Sequence, residues 1–495
     1  MTVLLLTSPR TQHDFHQIAV MPNLGIVSLA GAINDICEVK VADLQVFGGF
    51  NDGCIKFVKS TLERYKPDVI GLSSMTFQIH DSMSIALLCR AYCPEAKIIL
   101  GGYHCTLTPE TISPLPFDFL VRGEGEATMR ELVLALEGKG EIEAINGLSY
   151  KHNGKFIHNP QRQLLDPSAI RLPDRDSRLI TKGLTLFGNS IDATETSRGC
   201  NMGCKFCSIQ GMYGRSFRAF PMERVISDIE AIKKRGTKAV FFADDNINLY
   251  PKHLEAVCDA IIEAGLTDMQ YYTQVAANGI TKEMAAKMKK AGFKMVFIGI
   301  ESALERDLEF FGKKTTITKS AKAVANLHNA GIGVTSGVIS GNPDDTREDI
   351  VSNYEFMKEL KVEIPIFYIM QPYPGTEIRK ELLDAGLVTN KYDWSRYDGL
   401  CANVRTKHMS SEELQRLVWE LASKYYTSPE FIKRQYQMLK GINKKWFVRQ
   451  TIKVGLQYAL RRLKLRLGRM TVEDAFREDC YNRSFHFGGI AKTFK

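Results

Sequence analysis

Cys200, Cys204 and Cys207 stand in a C-x3-C-x2-C loop, Thr196-Ser197-Arg198-Gly199-Cys200-Asn201-Met202-Gly203-Cys204-Lys205-Phe206-Cys207. Three thiolates can hold three corners of an iron–sulfur cube and leave the fourth iron open to an outside ligand. Structural zinc asks instead for four closed ligands, commonly as two C-x2-C pairs. The next cysteine, Cys258, is unpaired within a helical pattern, so the loop favours the cube. The other thiols among the eleven cysteines follow no framework spacing, which predicts reduced cysteines and one metal site. Carboxylates recur downstream where short apolar runs end, in Phe242-Ala243-Asp244-Asp245-Asn246 and in Gly299-Ile300-Glu301-Ser302. Carboxylates at barrel-strand ends usually face the site. For Asp244-Asp245-Asn246 a helix N-cap cluster is the plainer alternative.

This cysteine spacing, with an aromatic before the third thiol, resembles the signature of radical S-adenosylmethionine enzymes. The resemblance continues through the two carboxylate stretches, Ser336-Gly337-Val338-Ile339-Ser340-Gly341-Asn342-Pro343, and Gln371-Pro372-Tyr373-Pro374-Gly375-Thr376. It implies that Cys200, Cys204 and Cys207 are the cluster ligands and that the amine and carboxylate of S-adenosylmethionine chelate the open iron. It also implies that Asp244 or Asp245 accepts from that amine, that Glu301 accepts from the ribose hydroxyls or the amine, and that Phe206 lies beside the adenine. Gln274, Ser302 and Tyr368 are further implied contacts.

Those residues need a scaffold. Between about 190 and 370, apolar strands alternate with helical stretches such as 221–234 and 318–330. The strands are Ala239–Ala243, Gln270–Gln274, Met295–Ile300, Gly333–Ile339 and Ile366–Ile369, the pattern of a partial or full βα barrel. Ahead of it, strands near Val3–Leu6, Asp68–Ser73, Lys97–Gly102 and Phe117–Val121 alternate with helical stretches around 24–34, 53–65 and 80–91. That is a doubly wound parallel sheet, whose ligands sit outside the strand carboxyl ends. Asn153-Gly154 between two short strands predicts a hairpin, and Leu172-Pro173-Asp174-Arg175-Asp176 closes a linker. The expected organisation is an α/β domain over 1–139, a hairpin-containing linker over 140–185, a barrel over 186–400 and a helical domain over 401–495.

A doubly wound domain before such a barrel resembles the cobalamin-binding domain of the B12-dependent radical subgroup. The resemblance rests on Pro22-Asn23-Leu24-Gly25, Ser74-Met75-Thr76, Gly101-Gly102-Tyr103-His104 and Arg122-Gly123-Glu124-Gly125-Glu126. It implies cobalamin contacts at Ser74, Met75, Thr76, Gly101, Gly102, Tyr103, His104, Gly123, Glu124 and Gly125. Domains that ligate cobalt through histidine carry D-x-H-x-x-G; here Asp14-Phe15-His16-Gln17-Ile18-Ala19 has alanine in place of the glycine. The departure favours a lower cobalt face without histidine.

Composition is that of a soluble globular protein, 44% hydrophobic and 24% charged. No apolar run of about eighteen residues predicts a membrane span. The first residues read as a strand rather than a signal peptide, so the expected location is the cytoplasm. The net charge of +9 is local: residues 441–470 hold Lys444, Lys445, Arg449, Lys453, Arg461, Arg462, Lys464, Arg466 and Arg469 and no acid. Val448, Ile452, Leu456, Leu460, Leu463, Leu467 and Met470 recur there at helical spacing. Such a helix either lies on the anionic inner face of the membrane or docks on the barrel. Nucleic acid is not expected, since no recognised module accompanies the charge.

The expected protein is a cobalamin-dependent radical enzyme with a [4Fe–4S] cluster, S-adenosylmethionine and an external flavodoxin- or ferredoxin-type electron donor. A 5′-deoxyadenosyl radical removes hydrogen from an unactivated carbon of a small-molecule, lipid or tetrapyrrole substrate, and cobalamin delivers a methyl group. Oxidative cyclisation or ring rearrangement uses the same parts and stays open. A methylthiotransferase needs cluster cysteines early in the first domain, and Cys37, Cys54, Cys89, Cys93 and Cys105 do not match. The rival of another class is a non-catalytic Fe–S or zinc protein that binds nucleic acid through the basic helix.

Overall fold

The structure, a computed structural model, describes residues 1–10, 19–440, 443, 445–446, 448–449, 460, 463–464 and 466–480. Asp14 and His16 of the departed histidine motif, and most of the basic stretch, lie outside them. The first strands are β1 (Thr2–Thr7), β2 (Ala19–Val20), β3 (Glu38–Ala42), β4 (Val69–Ser73), β5 (Lys97–Gly101), β6 (Phe119–Val121), β7 (Leu148–His152) and β8 (Lys155–His158). Seven of them form one sheet in the order β3-β1-β4-β5-β6-β7-β8, parallel from β3 to β6. Alternation along β1 explains its apolar run Val3–Leu6. Leu4 and Leu6 enter the core beneath helices 52–65 and 79–92, while Val3 and Leu5 face helices 24–33 and 125–136. A strand covered on both faces has no polar side to show. β3 is absent from the sequence reading because Glu38 and Lys40 interrupt its apolar run; Val39 and Val41 face one core and Ala42 the other.

The expected hairpin forms as β7 and β8, and β7 pairs antiparallel with β6. The first part of the expected 140–185 linker therefore extends the first domain's sheet, because β6 offers an open edge whose backbone groups need partners.

The second series is β9 (Thr185–Leu186), β10 (Asn189–Thr194), β11 (Ser197–Arg198), β12 (Arg218–Ala219), β13 (Ala239–Phe242), β14 (Gln270–Val275), β15 (Phe293–Glu301), β16 (Gly333–Ser340) and β17 (Ile364–Ile369). β10 and β13 to β17 pair in parallel as an open, partial βα barrel. Helices 222–234, 251–263, 282–291, 317–329 and 347–359 lie between the strands. Thr281, Thr316 and Thr346 cap three of these helices by accepting from the backbone N–H three residues on, about 1 kcal/mol each. Side chains at alternate strand positions, such as Val240, Tyr271, Val296 and Val334, pack in the main core with those helices. The opposite face holds a separate cluster of Ile191, Ala239, Tyr272, Met295 and Ile364, which forms the barrel floor with Leu186 and Phe187. β9 and then β2, a strand from the first domain's segment, extend this sheet antiparallel beyond β10.

Two further junctions join the domains. Trp394 and Tyr397, beyond the last barrel strand, are buried in the first domain's core. Arg175, from the proline-rich linker, is almost fully buried behind β10. It donates to Asp192 Oδ2 at 3.1 Å, to Asp228 at 2.5 and 3.0 Å, and to the Ala193 carbonyl at 2.6 Å. Beyond residue 410 the described residues form mainly helices, and helix 411–426 packs its Leu414, Leu417, Val418 and Tyr425 into the barrel core.

Removing one partner of a buried ion pair strands the others without water. Arg175→Met should therefore lower barrel stability by about 3 kcal/mol, read as a shift of the urea midpoint. An unchanged midpoint would show that water reaches Asp228.

Candidate functional site

The hairpin of β11 and β12 clamps the base of the cysteine loop, 199–217. The loop is pinned from the barrel side by backbone bonds: Lys205 N–H donates to the Phe311 carbonyl at 2.9 Å, and Ile378 N–H donates to the Lys205 carbonyl at 3.2 Å. Phe206 meets Phe311 edge-on at 5.4 Å between ring centres. Cys200, Cys204 and Cys207 are half-buried, and burial pushes the Cys207 thiol up to about 12. The scattered thiols Cys54, Cys89, Cys105 and Cys258 are fully enclosed in the cores, where burial likewise pushes them up to about 12. Among the described residues, no three His, Cys, Asp or Glu side chains converge as on a single ion. A cube asks for something different, one thiolate on each of three irons.

Opposite the loop, β15 bulges between Gly299 and Glu301 and ends with Glu301 in the left-handed region at φ 69°. A non-glycine residue held there stores strain that surroundings must hold in place. Here Lys313 does so, donating to Glu301 Oε1 at 2.5 Å. A Cβ on residue 299 would stand 2.4 Å from that oxygen and 2.6 Å from the ammonium, so glycine makes room for the pair. Both charges act on Cys204, where burial raises the thiol and Lys313 opposes it. Gln274 and Tyr368 lie half-buried on the same strand face as the floor residues, with Phe241 and Phe297.

Asp244 and Asp245 part ways. Asp244 has no exposed surface, and its oxygens accept from Thr196 N–H at 3.0 Å, Thr196 Oγ1 at 2.5 Å and Ser197 Oγ at 2.6 Å. Asp245 stays half-buried and accepts from Gly199 N–H at 2.8 Å, at the entrance to the cysteine loop. Burial pushes its carboxyl up to about 6, with Glu195 adding to the rise and Arg198 and Arg218 opposing it.

The loop's other side meets the first domain. Arg198, 7% exposed, donates to Glu124 Oε1 at 2.9 Å, to Glu126 Oε1 at 2.7 Å and to Glu195 at 2.7 and 2.9 Å. Arg218 adds two bonds to Glu124 at 2.9 and 3.0 Å. Beside this network an apolar slot runs between the first sheet and helices 24–33 and 125–136. Ile26, Leu29, Ile99 and Met129 line its depth, and Gly101, Gly102, Gly123 and Gly125 line its mouth. Gly102 has φ +99°, and a Cβ there would lie 2.5 Å from the Ser74 carbonyl. The far wall of the slot is Arg198, Met212 and Tyr213, all near the cysteines in the chain.

Comparison with known proteins decides what such a pairing of slot and loop belongs to. The B12 binding domain pattern matches residues 19–133, and the Radical SAM superfamily pattern matches residues 194–357. An uncharacterised methyltransferase of Pyrococcus horikoshii is 31% identical over 435 residues, spanning 87% of this chain and 93% of its own. The chain belongs to the radical S-adenosylmethionine superfamily, in its B12-binding group. Bacteriochlorophyllide d C-12(1)-methyltransferase of Chlorobaculum tepidum is 26% identical over 387 residues, 77% of this chain and 79% of its own. The structure of the radical S-adenosylmethionine methyltransferase TsrM from Kitasatospora setae, with cobalamin and a [4Fe–4S] cluster bound, superposes with a TM-score of 0.71. It is 16% identical and covers 92% of this chain and 99% of that one, a likeness of fold.

The radical S-adenosylmethionine domain implies a [4Fe–4S] cluster and S-adenosylmethionine, and the first domain implies cobalamin. The residues present fit them. Three accessible thiols share one pinned loop, and the glycine-rimmed apolar slot suits an extended nucleotide tail. Several of the residues expected to touch the cofactors turn inward in this structure. Asp244 faces the interior, because Thr196 and Ser197 occupy its carboxylate. Ser302 is fully buried; its hydroxyl donates to Asp307 Oδ2 at 2.7 Å and caps the next turn. Glu124 spends its carboxylate on Arg198, Arg218 and the Leu165 N–H at 2.9 Å. His104 is buried against Trp394 at 5.5 Å between ring centres. Ser74 and Thr76 turn inward, leaving Met75, 42% exposed, as that turn's accessible side chain. Tyr103 lies within electrostatic reach of Asp245, Tyr213 and Cys207, at the meeting of loop and slot. Lys313, Glu126, Glu195 and the role of Arg198 escaped the sequence reading, since no motif announces a partner that folding brings from far along the chain.

Burial pushes the Asp244 carboxyl up to about 7 from its ordinary 3.8. Between those values the folded state keeps a proton that the unfolded chain has lost, so stability falls as pH rises through the window. Relative to Asp244→Asn, the parent should lose roughly 3 kcal/mol between pH 4 and pH 7.5 in urea titrations. A pH-independent difference would place water against that carboxylate.

Proposed function

We propose that this chain methylates an unactivated carbon of an apolar substrate of the tetrapyrrole or lipid class. One observation carries the reading: the nucleotide-tail slot and the cysteine loop share a wall, Arg198, Met212 and Tyr213. When bound, the cluster supplies the electron that cleaves S-adenosylmethionine, and cobalamin carries the methyl group to be transferred. In this reading Cys200, Cys204 and Cys207 each hold one iron. Phe206, Asp245, Gln274, Glu301 and Tyr368 surround S-adenosylmethionine, with Glu301 held ready by Lys313. Gly101, Gly102, Gly123, Gly125, Met75 and Tyr103 face cobalamin.

The chain's own work is positioning and exclusion. Phe241, Phe297 and Tyr368 present aromatic surface on the inner wall of the barrel, which suits a flat or extended apolar substrate. The names of the Pyrococcus and Chlorobaculum relatives support methylation, and the latter's name supports a tetrapyrrole. An external reductant of the flavodoxin or ferredoxin class supplies the electron.

Anaerobic turnover with S-adenosylmethionine deuterated in its methyl group, over tetrapyrrole and lipid extracts, tests the proposal. A product heavier by one labelled methyl should appear with 5′-deoxyadenosine. Both should vanish, with the brown chromophore, in Cys200→Ala/Cys204→Ala/Cys207→Ala. A product that lacks the label overturns methylation in favour of oxidation or cyclisation, and a full cluster spectrum in the triple variant overturns the ligand assignment.

A second proposal concerns where the enzyme meets its substrate. Among the described residues no helix is long and apolar enough to cross a membrane. Leu460, Leu463 and Leu467 are nonetheless 59%, 51% and 55% exposed, beside exposed Lys464, Arg466 and Arg469. The flanks of this stretch are docked: Trp446 on Phe187 at 6.1 Å between ring centres, and Phe476 on Trp419 at 5.6 Å. We propose that the stretch lies on an anionic membrane surface, its leucines in the headgroup boundary and its cations on phosphates. Co-sedimentation with phosphatidylglycerol vesicles should weaken about tenfold in Leu460→Gln/Leu463→Gln/Leu467→Gln and fall with salt. Equal binding by the folded variant, or equal binding to neutral phosphatidylcholine vesicles, would overturn it.

A further inference from the structure

Three separate contacts hold the cysteine loop against the first domain. Arg198, two residues before Cys200, bridges Glu124 and Glu126, which lie on the rim of the slot. Arg218, on the strand that leaves the loop, takes both oxygens of Glu124 and also donates to the Leu165 carbonyl. Leu107, at the end of helix 103–107, reaches toward residue 211 so closely that a Cβ there would lie 2.2 Å from its Cδ2. The same leucine lies 3.6 Å from the corresponding point at residue 375, in the turn after β17. It is a knob between the cysteine loop and the barrel end. Met212 and Tyr213 complete the picture, since they follow the cysteines in the chain and also wall the slot.

A ligand that fills the slot must touch Met212 and Tyr213, and the rim it presses on carries the acceptors of Arg198. Anything that orders one side orders the other, because the guanidinium's fork fits its carboxylates in one geometry. We propose that Arg198 is a positioning residue that couples occupancy of the cobalamin slot to order in the cysteine loop, so that the two cofactors assemble on one another. The inference rests on the cobalamin reading above. Cobalamin should therefore order and protect the empty cysteine loop, and by reciprocity a bound cluster should tighten cobalamin by the factor by which cobalamin tightens the cluster.

The test uses the full chain prepared free of iron, with hydroxocobalamin as the probe. Two quantities are read separately: cobalamin binding from its visible absorbance, and iodoacetamide labelling of Cys200, Cys204 and Cys207 by peptide mass spectrometry. In the parent, saturating cobalamin should slow labelling of the three thiols about tenfold, while labelling of Cys37 on the first domain's far side stays unchanged. In Arg198→Lys, which keeps the charge and loses the fork, cobalamin should still bind and its protection should drop to about twofold or less. Glu126→Gln, which spares Glu124 and its bonds to Arg218, should behave likewise and serves should the arginine variant fail to fold. Protection that persists at the parental level in a folded variant overturns the proposal, since it would mean that cobalamin simply covers the thiols. Absence of protection in a parent that binds cobalamin overturns it too. Absence of cobalamin binding in the parent overturns the reading beneath it, and the inference falls with that reading.

Discussion

A single guanidinium set against three carboxylates governs how this molecule is assembled. Arg198 and the carboxylates of Glu124, Glu126 and Glu195 are all nearly withdrawn from water. Burying such charges has a large desolvation cost, so the arrangement is poor evidence for stability as such. Its consequence is specificity. Charges buried this deeply tolerate one docking geometry between the domains, since a slip of a few ångströms would leave a carboxylate unpaired in a low-dielectric interior. Arg218 shares Glu124 with Arg198, which ties both strands of the hairpin under the cysteine loop to the same rim.

Apolar contacts supply the attraction that this network only directs. Trp394 and Tyr397 carry the barrel's last connection into the first domain's core, and Leu107 fills the gap between the cysteine loop and the turn at Gly375. β2 adds a backbone link by extending the barrel sheet at its β9 edge. The cysteine loop is consequently an internal part with two neighbours, the barrel and the first domain. Enclosure of this kind suits chemistry that must exclude water and oxygen.

Within the barrel mouth, similar carboxylates have been given different tasks by their surroundings. Glu301 is aimed by a bulge and held by Lys313, whereas Asp244 is consumed in fastening the start of β11. Asp245, one residue on, keeps one oxygen for Gly199 and faces the junction with Tyr103 and Tyr213. Successive strand-end residues point to opposite sides, and that alternation separates a structural acceptor from an available one.

Local chemistry wrote much of this protein legibly. The C-x3-C-x2-C spacing and the order of the strand-end motifs identified the superfamily. Apolar runs bounded by turns located the barrel strands β13 to β17 but not β10, and helical spacing placed helices 24–33, 52–65 and 79–92 to within a residue or two. Asn153-Gly154 announced its hairpin. These features depend on neighbours in the chain, so the chain alone determines them. β3 stayed hidden because its charged residues conceal a strand that only its partner β1 specifies. Which of Asp244 and Asp245 is accessible, which arginines Glu124 pairs with, and where Lys313 finds its acid are decided by groups far apart in sequence. The ion pairs of Arg198 with Glu124 and Glu126 span 74 and 72 residues. Burial and pairing at that range arise only when two sheets meet, and no local pattern records them.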